Sequence, residues 1–428
     1  MKFNKPKNSG YVATVIKLKN ILPLENCDNL VGTTIFGFQG IVPKSYKVGD
    51  TGIVFPAETQ LSDEYCIQNN LYRHNELNKD KTEKGYIEDS RRIKAVKFRG
   101  NRSDCLFMPL QSLTWAGVKE SDFKEGDEFD TINDKPICEK YVIKTFTREN
   151  RLNGQKKKFK RVEAKFMPEH VETDNFFKWS PTLDPETNII VSQKLHGTSV
   201  RIANTIVKRK LSLLEKLLYK LGVHIQLNEM DYVYGSRKVI KDANNPDQKH
   251  YYDEDLWSNQ GKQLIGLIPE NYIIFGELIG WTSTGAPIQK DYTYGIPEKT
   301  AHLYVYRIAI VNGQGILQDL SFDHMVEFCK EVGLRYVAEI WRGKLKDFKV
   351  EEWLDKRFFD DMGLKQCVWL GDNKGIPDEG VVIRVDKKMP YFLKAKGSRF
   401  LKHETDLLDQ QVIDIESTQS EEIVDIPL

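Results

Sequence analysis

Apolar and polar positions divide the chain into two differently patterned parts. Residues Tyr11–Lys19 alternate as a strand, Leu30–Phe36 and Gly40–Val42 are β-branched and aromatic, and KVGDTGIVFP (47–56) is a turn followed by a strand. RRIKAVKFRG (91–100) and CLFMPL (105–110) form a further pair around the expected turn NRSD. Leu61–Tyr86 is polar and reads as a long loop with a short helix. From about residue 165 strands alternate with helices. The expected strands are Asn188–Gln193, Tyr232–Gly235, Tyr272–Leu278, His302–Val311, Arg335–Trp341, Gly380–Val385 and Phe392–Lys396. Helical spacing marks Leu211–Leu221, Phe322–Val332 and Glu351–Phe359. Core packing is the expected role of the amphipathic helix 211–221, with a membrane or partner contact as the alternative.

This pattern predicts a multidomain α+β protein, with a small N-terminal β-barrel followed by antiparallel sheets carrying helices. Five or so short strands match an OB-like barrel, and an SH3-like module fits the periodicity equally. At 428 residues the chain exceeds what one core usually organises. The expected divisions are 1–150, a basic linker at 151–165, a second domain at 166–403 and an acidic tail at 404–428. The tail reads as a solvated segment docked by its Leu, Ile and Val residues, with shielding of a basic groove as the alternative.

Composition removes some options. No apolar run approaches the roughly 20 residues that span a bilayer, so no membrane partner is expected. The N-terminus has no apolar core of signal-peptide length. Six cysteines without a CxxC pair suit a reducing, intracellular setting and argue against structural zinc. A formal charge of +1 means that any basic surface is local. One such surface is the linker, where Lys156, Lys157, Lys158, Lys160 and Arg161 are candidates for RNA phosphate contact or a solvated connector.

The stretch VSQKLHGTS (191–199) carries the most unusual chemistry. Lys194 follows strand-forming residues and precedes His196, Gly197 and two hydroxyls. Either it is a solvated lysine in a hairpin turn or it meets a ligand. Downstream lie GSRK (235–238), IIFGELIG (273–280), LYVYRIAI (303–310), DEGVVIRV (378–385) and FLKAKGSR (392–399), each a strand bearing charged or small residues.

In this order the motifs resemble those of the covalent nucleotidyltransferase superfamily, and most closely its ATP-dependent RNA ligases. KLHGTS is similar to motif I, GSRK to Ia, FGEL to III, LYVYRI to IIIa, EGVVIR to IV and LKAK to V. Lys194, Glu277, Glu379 and Lys394 are successively 83, 102 and 15 residues apart. The resemblance implies a DNA/RNA-ligase-type adenylyltransferase domain in which Lys194 attacks the α-phosphorus of ATP and becomes lysyl-AMP. It implies nucleotide contacts by Gln193, Leu195, His196 and Gly197. Arg237 would take the nucleotide or the RNA 5′-phosphate, Glu277 the ribose, and Lys394 and Lys396 the α-phosphate. Tyr306 would stack on adenine, but Tyr304, Tyr306 and Ile308 are expected on one strand face, which leaves a core aromatic as the alternative. Glu379 would serve Mg²⁺ or Mn²⁺. The chain departs from the common pattern at His196, where most members have Asp, at Ser199, where relatives with His have Asn, and at Gln193, where Glu often stands.

Only 32 residues follow Lys396, too few for a C-terminal OB domain. The arrangement resembles a small RNA ligase group with an N-terminal OB domain. The expected activity is sealing of RNA 3′-OH and 5′-phosphate ends, in RNA repair, with no protein partner implied. A DNA or mixed-substrate polynucleotide ligase and a catalytically silent RNA-binding protein are the alternatives.

Overall fold

The computed structural model describes residues 10–143, 161–241, 254–354, 376–387 and 389–412, together with Phe3, Pro6, Asn8 and Tyr252. In the N-terminal part, β1 (Ala13–Lys17), β2 (Leu30–Ile35), β3 (Phe38–Pro43), β4 (Thr51–Pro56) and β5 (Cys105–Pro109) lie in the order β1-β4-β5-β3-β2. Glu128–Phe129 extends the sheet beyond β1, and Leu22–Pro23 extends it beyond β2. All pairs are antiparallel except β3 with β5. Among the described residues no ladder joins β1 to β2, so these strands form an open seven-stranded sheet and no closed barrel is found.

Of two local expectations here, one fails and one is met in part. NRSD is not a turn, because Asn101–Ser103 pairs with Val96–Phe98. The reversal falls on Arg99 and Gly100, whose φ values of 49° and 87° suit a tight hairpin. Leu61–Tyr86 does hold a short helix, α1 (Asp63–Gln68), capped by Ser62, which accepts from Tyr65 N at 3.1 Å. It is not merely a polar loop, since Tyr65, Cys66, Leu71 and Tyr72 are buried in the N-terminal core. A few well-placed apolar groups anchor a mostly polar segment.

The second part is built on two antiparallel sheets. One contains β7 (Asn188–Lys194), β12 (Glu339–Lys344), β13 (Gly380–Val385) and β14 (Tyr391–Lys396), in the order β14-β13-β7-β12. A short parallel strand, Asp174–Asn175, adds to β14 and is labelled β6. The other sheet orders β9 (Asn228–Gly235), β8 (Thr198–Lys208), β10 (Tyr272–Gly280) and β11 (Ala301–Val311), with two-residue and three-residue strands at its edges. Its largest core cluster joins β8, β10 and β11 to α3 (Leu256–Lys262) and α4 (Phe322–Val332). The chain passes from the first sheet to the second between Lys194 and Thr198. The glycine turn that does so therefore faces both sheets.

Most expected strands of this part are present, but Arg335–Trp341 begins later, at Glu339. Tyr336 makes only an isolated bridge to Val305. The helix over 211–221 is α2 (Leu213–Lys220), closed at its start by a Ser212/Glu215 capping box. Leu213, Leu214 and Leu217 are exposed and no residue of the helix is buried, contrary to the expected core packing. Of Glu351–Phe359, Val350–Glu352 forms a short 3-10 turn, and residues 355–359 lie outside the described residues. So do Lys156, Lys157, Lys158 and Lys160 of the linker, and residues 413–428 of the tail.

Residues 404–409 are not tail. They complete α5 (Ser398–Asp409), which buries Phe400, Leu401, Thr405 and Leu408. This helix docks on the N-terminal part through a buried polar cluster. Thr405 Oγ1 donates to Glu58 Oε1 at 2.6 Å, Ala95 N donates to Thr405 Oγ1 at 3.0 Å, and the Arg92 guanidinium lies 3.6 Å from Glu58. Lys94 adds a 2.9 Å ion pair with Asp409. Burial pushes the Glu58 carboxyl up to about 7 against the opposing pull of Arg92.

The register of the first sheet places the chemistry. Lys194 of β7 stands opposite Gly380 of β13, and Gly380 stands opposite Lys396 of β14. The two lysines thus flank one glycine. Gly380 has a φ of 141°, and a Cβ there would lie 2.0 Å from the Ala395 carbonyl oxygen. Only glycine lets β14 approach. Gly380→Ala is therefore expected to destabilise the fold by about 1–3 kcal/mol, the usual cost of overpacking. It should also lower activity more than tenfold by moving Lys396 from Glu379. Thermal denaturation and an activity assay check both.

Candidate active site

Glu379, immediately before β13, is the charge around which the site closes. Its side chain is 3% exposed. Oε2 lies 2.9 Å from Lys194 Nζ and 3.4 Å from His196 Nδ1, and Oε1 lies 3.3 Å from Lys396 Nζ. Burial by itself would raise this carboxyl, but Lys194, Lys396 and His196 outweigh it and hold it well below the usual carboxylate range. Lys396 is shared with Glu404 of α5, at 3.3 and 3.4 Å. The expected boundary at 404 puts Glu404 in the tail, whereas it belongs to α5. The helical recurrence of Phe400, Leu401, Thr405 and Leu408 was the signal for its true place.

The turn after Lys194 is fixed from several sides. Gly197 N donates to Glu277 Oε1 at 3.0 Å, and Ser199 Oγ donates to Glu277 Oε2 at 3.3 Å. A Cβ on Gly197 would lie 2.2 Å from the Leu278 carbonyl oxygen, so the close passage requires glycine. His196 N donates to Tyr294 Oη at 2.7 Å, and Gln289 Nε2 donates to the Gly197 carbonyl at 3.0 Å. The His196 ring meets Tyr292 and Phe400 edge-on at 4.7 and 5.2 Å. His196 is thus held as a partner of Glu379. Nothing in the local sequence pattern of Tyr292, Tyr294 and Gln289 marks them.

The other expected residues fall into three positions. Gln193 and Leu195 are buried on either side of Lys194, with Gln193 Nε2 donating to Asp378 Oδ1 at 3.3 Å. Lys394, two residues before Lys396 on β14, is pushed down to about 8 by burial and then by Lys396, Lys194 and Arg237. Arg237 pairs with Glu172 at 3.0 Å and contributes to this cationic field. Lys394 and Lys396 line a cleft shared with the N-terminal part, which contributes Phe36 and Phe38, while Lys178 and Trp179 of the second part also line it.

Tyr306 sits in a neighbouring layer, edge-on to His170 at 4.9 Å, while His170 also meets Phe275 and Phe392. Tyr304, Tyr306 and Ile308 do not share one face. A β-bulge shifts the register, so Tyr304 stands opposite Glu277 while Ile308 stands opposite Ile274. Residues 274 and 277 point to opposite sides of β10. Arg161, grouped with the linker lysines, pairs with Asp231 and lies 3.7 Å from Glu229.

With the geometry in place, comparison with known proteins adds the lineage. The sequence model of the RNA ligase family matches residues 187–403, just over half of the chain, from the start of β7 past Lys396. The chain belongs to the RNA ligase family. A search of curated proteins finds no match. Among solved structures, the fold is similar to Naegleria gruberi RNA ligase. A variant with ATP and Mn has a TM-score of 0.58 and 15% identity, covering 93% of this chain and 100% of that one. A variant with AMP and Mn has a TM-score of 0.59 and 16% identity, covering 92% and 99%. The same ligase with PPi has a TM-score of 0.59 and 15% identity, covering 92% and 98%. The likeness spans both parts of the chain, so this family member shares the overall α+β architecture and not merely the lysine-bearing sheets.

One pH dependence follows from the cationic field of this RNA ligase family site. Lys394 is a cation below about 8 and neutral above it. If its charge holds a phosphate, kcat/KM for the nucleotide should fall roughly tenfold as pH rises from 7 to 9, since this ratio reports the free enzyme. Lys394→Arg should remove that falling limb, because the guanidinium stays charged. An unchanged profile in the arginine variant would detach Lys394 from phosphate binding.

Proposed function

We propose that this RNA ligase family member is ATP-dependent and uses Lys194 as its nucleophile, joining a 3′-OH to a 5′-phosphate in RNA. The observation that carries the reading is the convergence of Lys194, Lys396 and His196 on one buried carboxylate, Glu379. An ion-paired ammonium is a poor nucleophile, so reaction requires Glu379 to release Lys194 and the amine to lose a proton. Lys394 and Lys396, on one face of β14, then meet the α-phosphate and offset charge on its oxygens. Glu277 holds the turn that presents Lys194 and offers its carboxylate to the ribose. Arg237 takes a phosphate of the nucleotide or of the RNA 5′ end, and Tyr306 walls the adenine side.

A divalent cation suits Glu379. Among the described residues no three His, Cys, Asp or Glu side chains gather as a cage. That fits Mg²⁺ or Mn²⁺ held by one carboxylate, substrate phosphates and water. Bound there, the metal would supply Lewis-acid stabilisation of phosphoryl charge. The same ion would compete with Lys194 for Glu379.

The N-terminal part is proposed as an OB-type RNA-binding domain over residues 1–150. The order β1-β4-β5-β3-β2 with a parallel β3/β5 pair supports a partly open Greek-key barrel. Its aromatic residues Phe36 and Phe38, which line the same cleft as Lys394 and Lys396, support contact with a strand entering the cleft. The test is incubation with α-labelled ATP and Mg²⁺ or Mn²⁺, then a panel of nicked duplexes with ribose or deoxyribose 3′ ends. Covalent label on Lys194 and sealing that prefers ribose are the expected results. Absence of label would leave an RNA-binding protein, and equal sealing of both ends a mixed-substrate ligase.

A further inference from the structure

The excursion between β8 and β9 has no role in the chemistry above. β8 leaves the catalytic turn at Thr198 and reaches Lys208, about 30 Å away at strand rise. There Arg209 closes the base of the excursion. Its backbone N donates to the Leu227 carbonyl at 2.8 Å, and its guanidinium meets the Gln226 carbonyl at 3.0 Å and Glu215 at 2.6 Å. With the Ser212/Glu215 capping box, these bonds hold α2 as a local unit at the far end of the hairpin.

The unit presents an apolar surface to solvent. At about 100° per residue, Leu213, Leu217, Leu221, Leu214 and Leu218 fall within an arc of about 140°. Leu213 is 86% exposed, Leu217 55% and Leu221 71%, and no residue of α2 is buried. Val223 and Leu227 continue the exposed surface on the return. Such contiguous apolar exposure marks an interaction site.

The surrounding charge selects the partner. Lys208, Arg209 and Lys210 precede the helix, and Lys216 and Lys220 run along one edge of the leucine arc. The acid within this run, Glu215, is paired with Arg209. Lysines bordering an apolar arc suit an interface where stems lie along hydrocarbon and ammonium groups reach phosphate. A second copy would bring like charges together, and an RNA strand would leave the leucines uncovered. We propose that α2 lies on an anionic phospholipid surface, anchoring the protein reversibly with its catalytic cleft away from the membrane. The helix does not span the bilayer: among the described residues no helix is long and apolar enough to cross one.

The test is co-flotation of the full-length protein with phosphatidylcholine vesicles, with and without about 30% phosphatidylserine, at about 0.1 M salt. Binding at least about tenfold stronger to the anionic vesicles is expected. Two variant sets separate the contributions, Leu213→Gln with Leu217→Gln and Leu221→Gln, and Lys210→Glu with Lys216→Glu and Lys220→Glu. Each should lose binding about tenfold or more while enzyme adenylylation stays at the parent level, which shows the fold intact. Failure of the parent protein to bind anionic vesicles, or equal binding by the leucine set, would overturn the proposal. In that case an acidic protein becomes the occupant to seek.

Discussion

Lys194→Ala should leave no detectable covalent AMP, a loss of at least about 10³-fold relative to the parent, since the proposed phosphoramidate forms on its amine. The fold should persist. Lys194 is 21% exposed, and Glu379 keeps Lys396 at 3.3 Å and His196 at 3.4 Å when the lysine is removed. The decisive comparison is with an RNA strand that already carries a 5′-adenylyl group. Joining that strand needs no lysyl-AMP, only phosphate placement and charge, the role proposed for Lys394 and Lys396. Lys194→Ala should therefore seal it with a loss of only about 10 to 10²-fold, the share of one electrostatic contact. Gel assays of label incorporation and of pre-adenylylated strand joining measure the two steps separately. Covalent label at the parent level in the variant would remove Lys194 as nucleophile, and equal loss in both assays would make its role structural.

This comparison depends on a site whose members were legible in the sequence to different degrees. Lys194, Glu277, Glu379, Lys394 and Lys396 carry recognisable strings, and the register turns those strings into neighbours. The Lys194–Gly380–Lys396 row is a property of pairing that no single stretch contains. Tyr292, Tyr294 and Gln289 were illegible because they reach the turn from a segment whose local pattern is ordinary. Glu404 was concealed by its acidic surroundings, although the apolar spacing of α5 was present. Composition described the charge there, whereas packing decided the structure. The leucines of α2 failed in the opposite direction. Amphipathic spacing predicts a helix with an apolar face correctly, but periodicity contains nothing about whether a core stands beneath that face. The face of Tyr304, Tyr306 and Ile308 failed because a single bulge inverts the alternation on which strand faces are read.

Glu379→Gln should damage both stability and chemistry, and pH separates the two. The substitution keeps shape but removes the anion shared by Lys194 and Lys396, leaving Lys194, Lys394 and Lys396 to repel one another. Breaking a buried pair in this way typically costs about 3–5 kcal/mol. Glu379 is held well below its ordinary value near 4.5, so its stabilising contribution is full above that value and is lost as pH falls through it toward the folded-state value. The stability gap between parent and variant should accordingly be widest at neutral pH and narrow on acidification below about 4.5. Chemical denaturation across that range measures it, and a gap independent of pH would mean that the carboxylate's charge is not what stabilises the site. For the reaction, loss of the carboxylate removes the group proposed to hold the divalent cation, and adenylylation should fall at least about 10²-fold. Removing the anion also makes the lysine amine easier to deprotonate, so the rising limb of the residual rate should move to lower pH. A variant whose rate falls with an unshifted rising limb would separate metal holding from control of Lys194. One whose limb shifts without loss of rate would leave Glu379 as the counter-charge of the nucleophile alone.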